Sequence, residues 1–197
     1  NQVQVHSEHA QLAVDALLIA SGRQPATASL HPENAGIAVN ERGAIVVDKR
    51  LHTTADNIWA MGDVTGGLQF TYISLDDYRI VRDELLGEGK RSTDDRKNVP
   101  YSVFMTPPLS RVGMTEEQAR ESGADIQVVT LPVAAIPRAR VMNDTRGVLK
   151  AIVDNKTQRM LGASLLCVDS HEMINIVKMV MDAGLPYSIL RDQIFTH

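Results

Sequence analysis

Asn57–Gly67, NIWAMGDVTGG, sets one acid among glycines directly after a short apolar run. Ile58 to Met61 reads as a buried strand, so Asp63 stands at a strand's carboxyl end, with Gly62, Gly66 and Gly67 around it. In open α/β sheets, ligands bind in the crevice outside those ends. A carboxylate there accepts hydrogen bonds from adjacent hydroxyls, which is what a ribose or ribityl chain presents. Each such charge-assisted bond is worth roughly 1.5–3 kcal/mol where water is excluded. The glycines let a ligand approach the backbone closely. Thr71, at the amino end of the next expected helix, offers a backbone N–H backed by the helix dipole to negative charge on a ligand. On Gly-Asp turn chemistry alone, a plain solvated turn is the commoner case.

The flanking sequence organises around this turn. Upstream, Val3 to His6 and Leu12 to Ala20 read as strands, and the second, LAVDALLIA, is apolar enough to be buried on both faces. SGRQPAT breaks the pattern at Gly22 and Pro25, and GIAVNERGAIVVD reads as a hairpin about Gly43. Downstream, Tyr72 to Leu86 places Tyr72, Leu75, Tyr78, Val81 and Leu85 near helical spacing, and Gly87 closes it. GEGKRSTDDRKNVP follows, polar and without apolar period, as a linker. Beyond it, Thr115 and Gln118 form a capping box for TEEQARESG. IQVVTLPV, GVLKAIVD and MLGASLLCV read as strands. DSHEMINIVKMVMDAGLP reads as a helix with Met173, Val177, Val180 and Met181 on one face, stopped by Gly184 and Pro186. Helix, strands, helix predicts an α+β domain with an antiparallel sheet and packed helices.

Composition narrows the functional classes. The 197 residues suffice for one or two domains, and 44% hydrophobic with 22% charged residues is the balance of a globular protein rather than a disordered one. A net charge of −4 with interspersed signs gives no footprint for nucleic acid. The longest apolar runs, Ala16 to Ala20 and Leu131 to Ile136, are far short of a bilayer span, so no membrane partner is expected. Cys167 is the single cysteine, which excludes an internal disulfide and fits a cytoplasmic setting. The chain opens at Asn1 rather than methionine and is read as part of a longer protein. No metal site is expected: Cys167, Asp169, His171 and Glu172 lack zinc spacing, and His6 with His9 reads as an exposed loop pair. Cys167 itself reads as a buried, inert thiol, and Arg138 and Arg140 of IPRARV as members of a solvated loop.

VDALLIASGRQPAT, with TTADNIWAMGDV beginning some forty residues later, resembles the paired signatures of the FAD- and NAD(P)H-dependent pyridine nucleotide-disulfide oxidoreductases. Glutathione reductase, dihydrolipoamide dehydrogenase and mercuric reductase are members, and the last is nearest in character. VFMTPPLSRVGMTEEQA resembles the family's entry into its dimerisation domain, and RGVLKAIVDNKTQRMLGASLLCVDSHEMINIV the sheet and helix that follow. The closing FTH resembles the start of a His-Pro-Thr signature. Each motif is weak alone; their ordered series from Ala13 to His197 is specific.

The resemblance implies an α/β flavin-domain remainder plus an α+β dimerisation domain. Residues 1–24 would be the tail of the NAD(P)-binding domain, 25–96 the second part of the FAD-binding domain and 97–197 the dimerisation domain. It implies that Asp63 binds the ribityl chain of FAD over the Gly62 turn, with Gln69, Phe70 and Thr71 along the flavin. Gly22 and Arg23 would belong to the turn leading back from the nicotinamide domain. His197 would be the proton donor and acceptor, a task suited to an unperturbed pKa of roughly 6.5, acting on the flavin of the partner in a homodimer. Electrons would pass from NAD(P)H through FAD to a small-molecule, disulfide or metal-ion acceptor. The family's flavin-binding GxGxxG, its nicotinamide glycine motif and its redox cysteine pair are not in this chain, so the chain alone is expected to be inactive. A non-catalytic dimerisation or binding module that retains the fold is the alternative from another class.

Overall fold

The computed structural model describes residues 2–196, and the chain divides into two compact units, Asn1–Asp95 and Arg96–His197. The first opens with an antiparallel pair, β1 (Val3–His6) and β2 (Gln11–Val14). The strand expected through Ala20 therefore stops at Val14, and Leu17, Leu18 and Ile19 are 52, 89 and 75% exposed instead of buried on both faces. Val14 pairs with Val3, the first residue of β1, and among the described residues no backbone opposes the apolar residues that follow.

The hairpin expected about Gly43 is reduced to a single antiparallel bridge, Val39 with Ile45. Asn40 bends the chain there, its Oδ1 accepting from the Arg42 and Ala44 amides at 2.9 and 3.0 Å. Ile58 to Met61 likewise contributes one bridge, Trp59 with His52, and only Ala60 is buried. The chain then tightens into a 3-10 turn, Gly62–Thr65, and enters α1 (Thr71–Leu86). Ala44, Ile45, Leu51, Ala60, Ile73 and Ile80 are the apolar core of this unit. The helix lies where expected but presents a different face: Ile73, Asp77 and Ile80 are buried, whereas Tyr72, Leu75, Tyr78 and Leu85 are 44, 49, 48 and 55% exposed. Asp77 fixes that rotation by accepting the Gly62 amide at 2.6 Å.

The second unit is a five-stranded antiparallel sheet in the order β3-β4-β7-β6-β5. Its elements are β3 (Tyr101–Val103), β4 (Leu109–Gly113), α2 (Glu116–Glu121), β5 (Ile126–Pro132), α3 (Pro137–Val141), β6 (Val148–Asp154), β7 (Met160–Leu166), α4 (Ser170–Asp182) and α5 (Ser188–Asp192). The α+β expectation with an antiparallel sheet holds. Thr115 and Gln118 form the capping box reciprocally, at 3.1 and 2.9 Å, which seats Ala119 at 0% exposure.

Helix α4 packs on β4 and β7. Its buried stripe is Ser170, Ile174 and Val180, with Val177 and Met181 packed beside them; Met173 is 39% exposed and lies off the stripe expected to contain it. Ile174 closes a core with Val112, Ala163 and Leu165, and burying a side chain of that size is worth about 1.5–3 kcal/mol. Three hydroxyls cross this core in a line. Ser102 Oγ lies 2.7 Å from Ser110 Oγ, Ser110 Oγ lies 3.0 Å from Ser170 Oγ, and Ser170 donates to the Pro108 carbonyl at 2.9 Å. Because each is hydrogen-bonded, Ser110 and Ser170 tolerate complete burial. Among the described residues no helix is long and apolar enough to cross a membrane.

Candidate functional site

Asp63 sits in the first turn of the Gly62–Thr65 segment, and two distant pieces of sequence meet at it. Arg23 Nη1 donates to Asp63 Oδ2 at 3.0 Å, while Arg23 Nη2 donates to the Gln69 carbonyl at 3.0 Å. One guanidinium thus ties the residues after Gly22 to both ends of the glycine turn. The Arg23 and Asp63 side chains are 61 and 48% exposed, so the pair contributes roughly 0–1 kcal/mol and leaves the carboxylate open to solvent. Its second oxygen has no partner among the described residues, and a carboxylate has about four acceptor sites in all.

The turn is held from beneath. Gly62 has φ +78°, and a Cβ there would fall 2.9 Å from Ser74 Oγ, so both conformation and space require glycine. Thr65 Oγ1 donates to the Gly62 carbonyl at 2.9 Å, and the Gly62 amide is the one bound by Asp77. Asp77 is 2% exposed, an acid in the core whose work is to set this turn. It was not anticipated from the sequence; the available signal was an acid four residues after Ile73 and three before Ile80, on what becomes the buried stripe.

Gln69, Phe70 and Thr71 follow as the approach to α1. Phe70 is its N-cap and Thr71 its first residue, so the Thr71 amide is among the first-turn donors that have no acceptor within a helix. The Phe70 and Tyr72 rings stack at 5.1 Å with planes 8° apart. Gly22, with φ +107° and no neighbour within 4 Å of a built Cβ, is an open turn position. The structure therefore brings Arg23, Asp63 and Gln69 into direct contact and sets Gly62, Phe70 and Thr71 along the same segment. His197 lies outside the described residues.

The second unit holds an apolar cavity of about 630 Å³ between α4, the sheet and the short helix α3. Arg138 and Arg140 thus lie on a helical turn rather than a loop, both exposed, with Arg140 Nε donating to the Ala134 carbonyl at 2.7 Å. Cys167 borders the cavity at 5% exposure; burial, then the Asp169 charge, push its thiol above the usual range, which keeps it protonated and unreactive. His171 packs edge-on against Phe104 at 5.6 Å. Among the described residues no three His, Cys, Asp or Glu side chains come together in a metal-binding group.

Two family models match the chain. Residues 99–197 match the pyridine nucleotide-disulphide oxidoreductase dimerisation domain, and residues 1–77 match the pyridine nucleotide-disulphide oxidoreductase model. Mercuric reductase from Staphylococcus aureus is 35% identical over 190 residues, 96% of this chain and 35% of that protein. Mercuric reductase from Streptomyces lividans is 37% identical over 175 residues, 89% of this chain and 37% of the relative. The chain therefore spans little more than a third of these relatives' length. Among solved structures, the Cu(II) complex of the HOCl-induced flavoprotein disulfide reductase RclA from Escherichia coli is 99% identical, with a TM-score of 0.97, over 100% of this chain and 45% of that one. LpdA from Mycobacterium tuberculosis, at 23% identity and a TM-score of 0.85 over 95% of this chain and 41% of its own, shares the fold.

Proposed function

The chain belongs to the pyridine nucleotide-disulphide oxidoreductase family, and from that premise we propose that it is the carboxyl-terminal portion of a homodimeric, cytoplasmic FAD-dependent oxidoreductase. The observation that carries the assignment is the convergence of Arg23, Asp63 and Gln69 on one half-open turn at the start of a helix. The open carboxylate acceptor it presents fits the hydroxyls of a polyol attached to an electron-accepting ring. Bound FAD would take electrons from NAD(P)H and deliver them onward.

The chain's own residues would bind and orient. The free oxygen of Asp63 would accept from ribityl hydroxyls, while Arg23 holds the other oxygen and keeps the carboxylate aimed. Gly62 would leave the backbone accessible, and Gln69 and Phe70 would line the approach. The Thr71 amide, backed by the sixteen-residue dipole of α1, would face negative charge on the ligand. His197 would hold and release the proton at the active site of the partner subunit.

The names of similar proteins represent both acceptor classes: the curated relatives are mercuric reductases, and the 99% identical protein is a flavoprotein disulfide reductase solved as a Cu(II) complex. Stopped-flow reduction of the full-length flavoprotein by NADPH or NADH, followed by mixing with Cu(II), Hg(II) or a disulfide, separates these acceptors.

The test of the flavin assignment is Asp63→Ala in the full-length protein. Loss of charge-assisted bonds worth roughly 1.5–3 kcal/mol predicts FAD affinity about 10- to 150-fold weaker, read by flavin absorbance after dialysis. Unchanged FAD retention would sink the ribityl role.

A further inference from the structure

At the far end of α1 the charges do not balance in pairs. Glu84 is bound by Arg50 at 3.2 Å, Asp76 by Arg91 at 3.0 Å, and Glu88 by Lys90. Asp83 is turned onto the backbone, accepting the Glu88, Lys90 and Arg91 amides at 3.3, 2.8 and 2.9 Å. Those bonds, that of Arg91 foremost, hold its carboxyl below the usual range. Arg79 and Arg82, one helical turn apart, have no partner among the described residues. They line a concavity of about 410 Å³ together with Arg91, Asp83, Leu86 and Gly87.

The loop that completes this concavity is built to close tightly. A Cβ on Gly87 would fall 2.3 Å from Asp83 Oδ1 and 2.9 Å from the Asp83 carbonyl, so only glycine lets residues 87–91 fold back onto the helix. Asp83 then pins the Arg91 amide, which brings a third guanidinium to the two on the helix. The Arg79 and Arg82 guanidinia each offer a planar fork that matches two oxygens of a tetrahedral oxyanion, while Arg91 keeps one Nη on Asp76.

We propose that this pocket binds a small, multiply charged oxyanion of the phosphate class, held by the forks of Arg79 and Arg82 with Arg91 at its edge. None of these residues belongs to the turn around Asp63.

Isothermal titration of the full-length, FAD-loaded protein with pyrophosphate, at ionic strength fixed with sodium chloride, tests it. Saturable binding is expected, with at least tenfold loss of affinity in Arg79→Gln/Arg82→Gln, while flavin absorbance and melting temperature match the parent. Arg79→Lys/Arg82→Lys keeps the charge and removes the forks, and is expected to bind several-fold more weakly than the parent. Absence of saturable binding, displacement by matched chloride, or equal affinity in either double variant would overturn the proposal.

Discussion

Gly62 answers to two constraints, a positive φ and the Ser74 hydroxyl 2.9 Å from where a Cβ would be. Gly62→Ala is therefore expected to destabilise the full-length protein by about 1–2 kcal/mol, seen as a lower denaturation midpoint. Asp77→Ala strands the Gly62 amide without its acceptor, and a loss of about 1–3 kcal/mol is expected in the same assay, with weaker flavin retention because the turn loosens. Asp63 was singled out by the ordered series of family-like motifs around it, since an acid between glycines after an apolar run reads by itself as a solvated turn. Asp77 was not, because a buried acid is recognised only through the backbone donor it meets, and that donor is fifteen residues away. At the surface, Arg146 grips both oxygens of Asp144, at 2.8 and 2.6 Å, and holds the carboxyl down to about 2. A depressed carboxyl contributes stability that is complete above the ordinary carboxylate range near 3.9 and vanishes as pH falls through its folded value. NMR titration of Asp144 should therefore show its midpoint near pH 2, and Arg146→Ala should return it towards 3.9.

Among elements, α2, α4 and β5 to β7 could be read from sequence because each carries a local signal: a capping box, a sustained apolar stripe, or an apolar run between turn residues. Thr115→Ala tests the first of these. It removes the acceptor of the Gln118 amide and should cost about 1 kcal/mol by denaturant unfolding. Strands β3 and β4 were unreadable for the opposite reason. Three and five residues long, they exist because they pair, β3 with β4 and β4 with β7, and nothing local announces the partner. LAVDALLIA shows the converse: strong strand composition, with no backbone opposite it beyond Val14 among the described residues. In α1 the helix was legible and its rotation was not, since Asp77 decides which face turns inward.

For the whole molecule, α4 carries a second apolar row. Met173, Ile176 and Met179 are 39, 45 and 71% exposed, on the side away from the Ile174 stripe. In the proposed homodimer this row is expected to lie in the interface. Ile176→Glu/Met179→Glu should shift full-length protein from dimer to monomer in sedimentation velocity, while each monomer keeps its flavin. The line of serines through the sheet has a consequence of its own. A hydroxyl has one proton to give, and Ser170 gives its proton to the Pro108 carbonyl. Ser110 must then give to Ser170, and Ser102 to Ser110, so the sense of the whole line is dictated from one end. A carbonyl in the turn before β4 thereby orients a hydroxyl on β3 that it never touches, and the three dipoles add rather than cancel across an otherwise apolar interior.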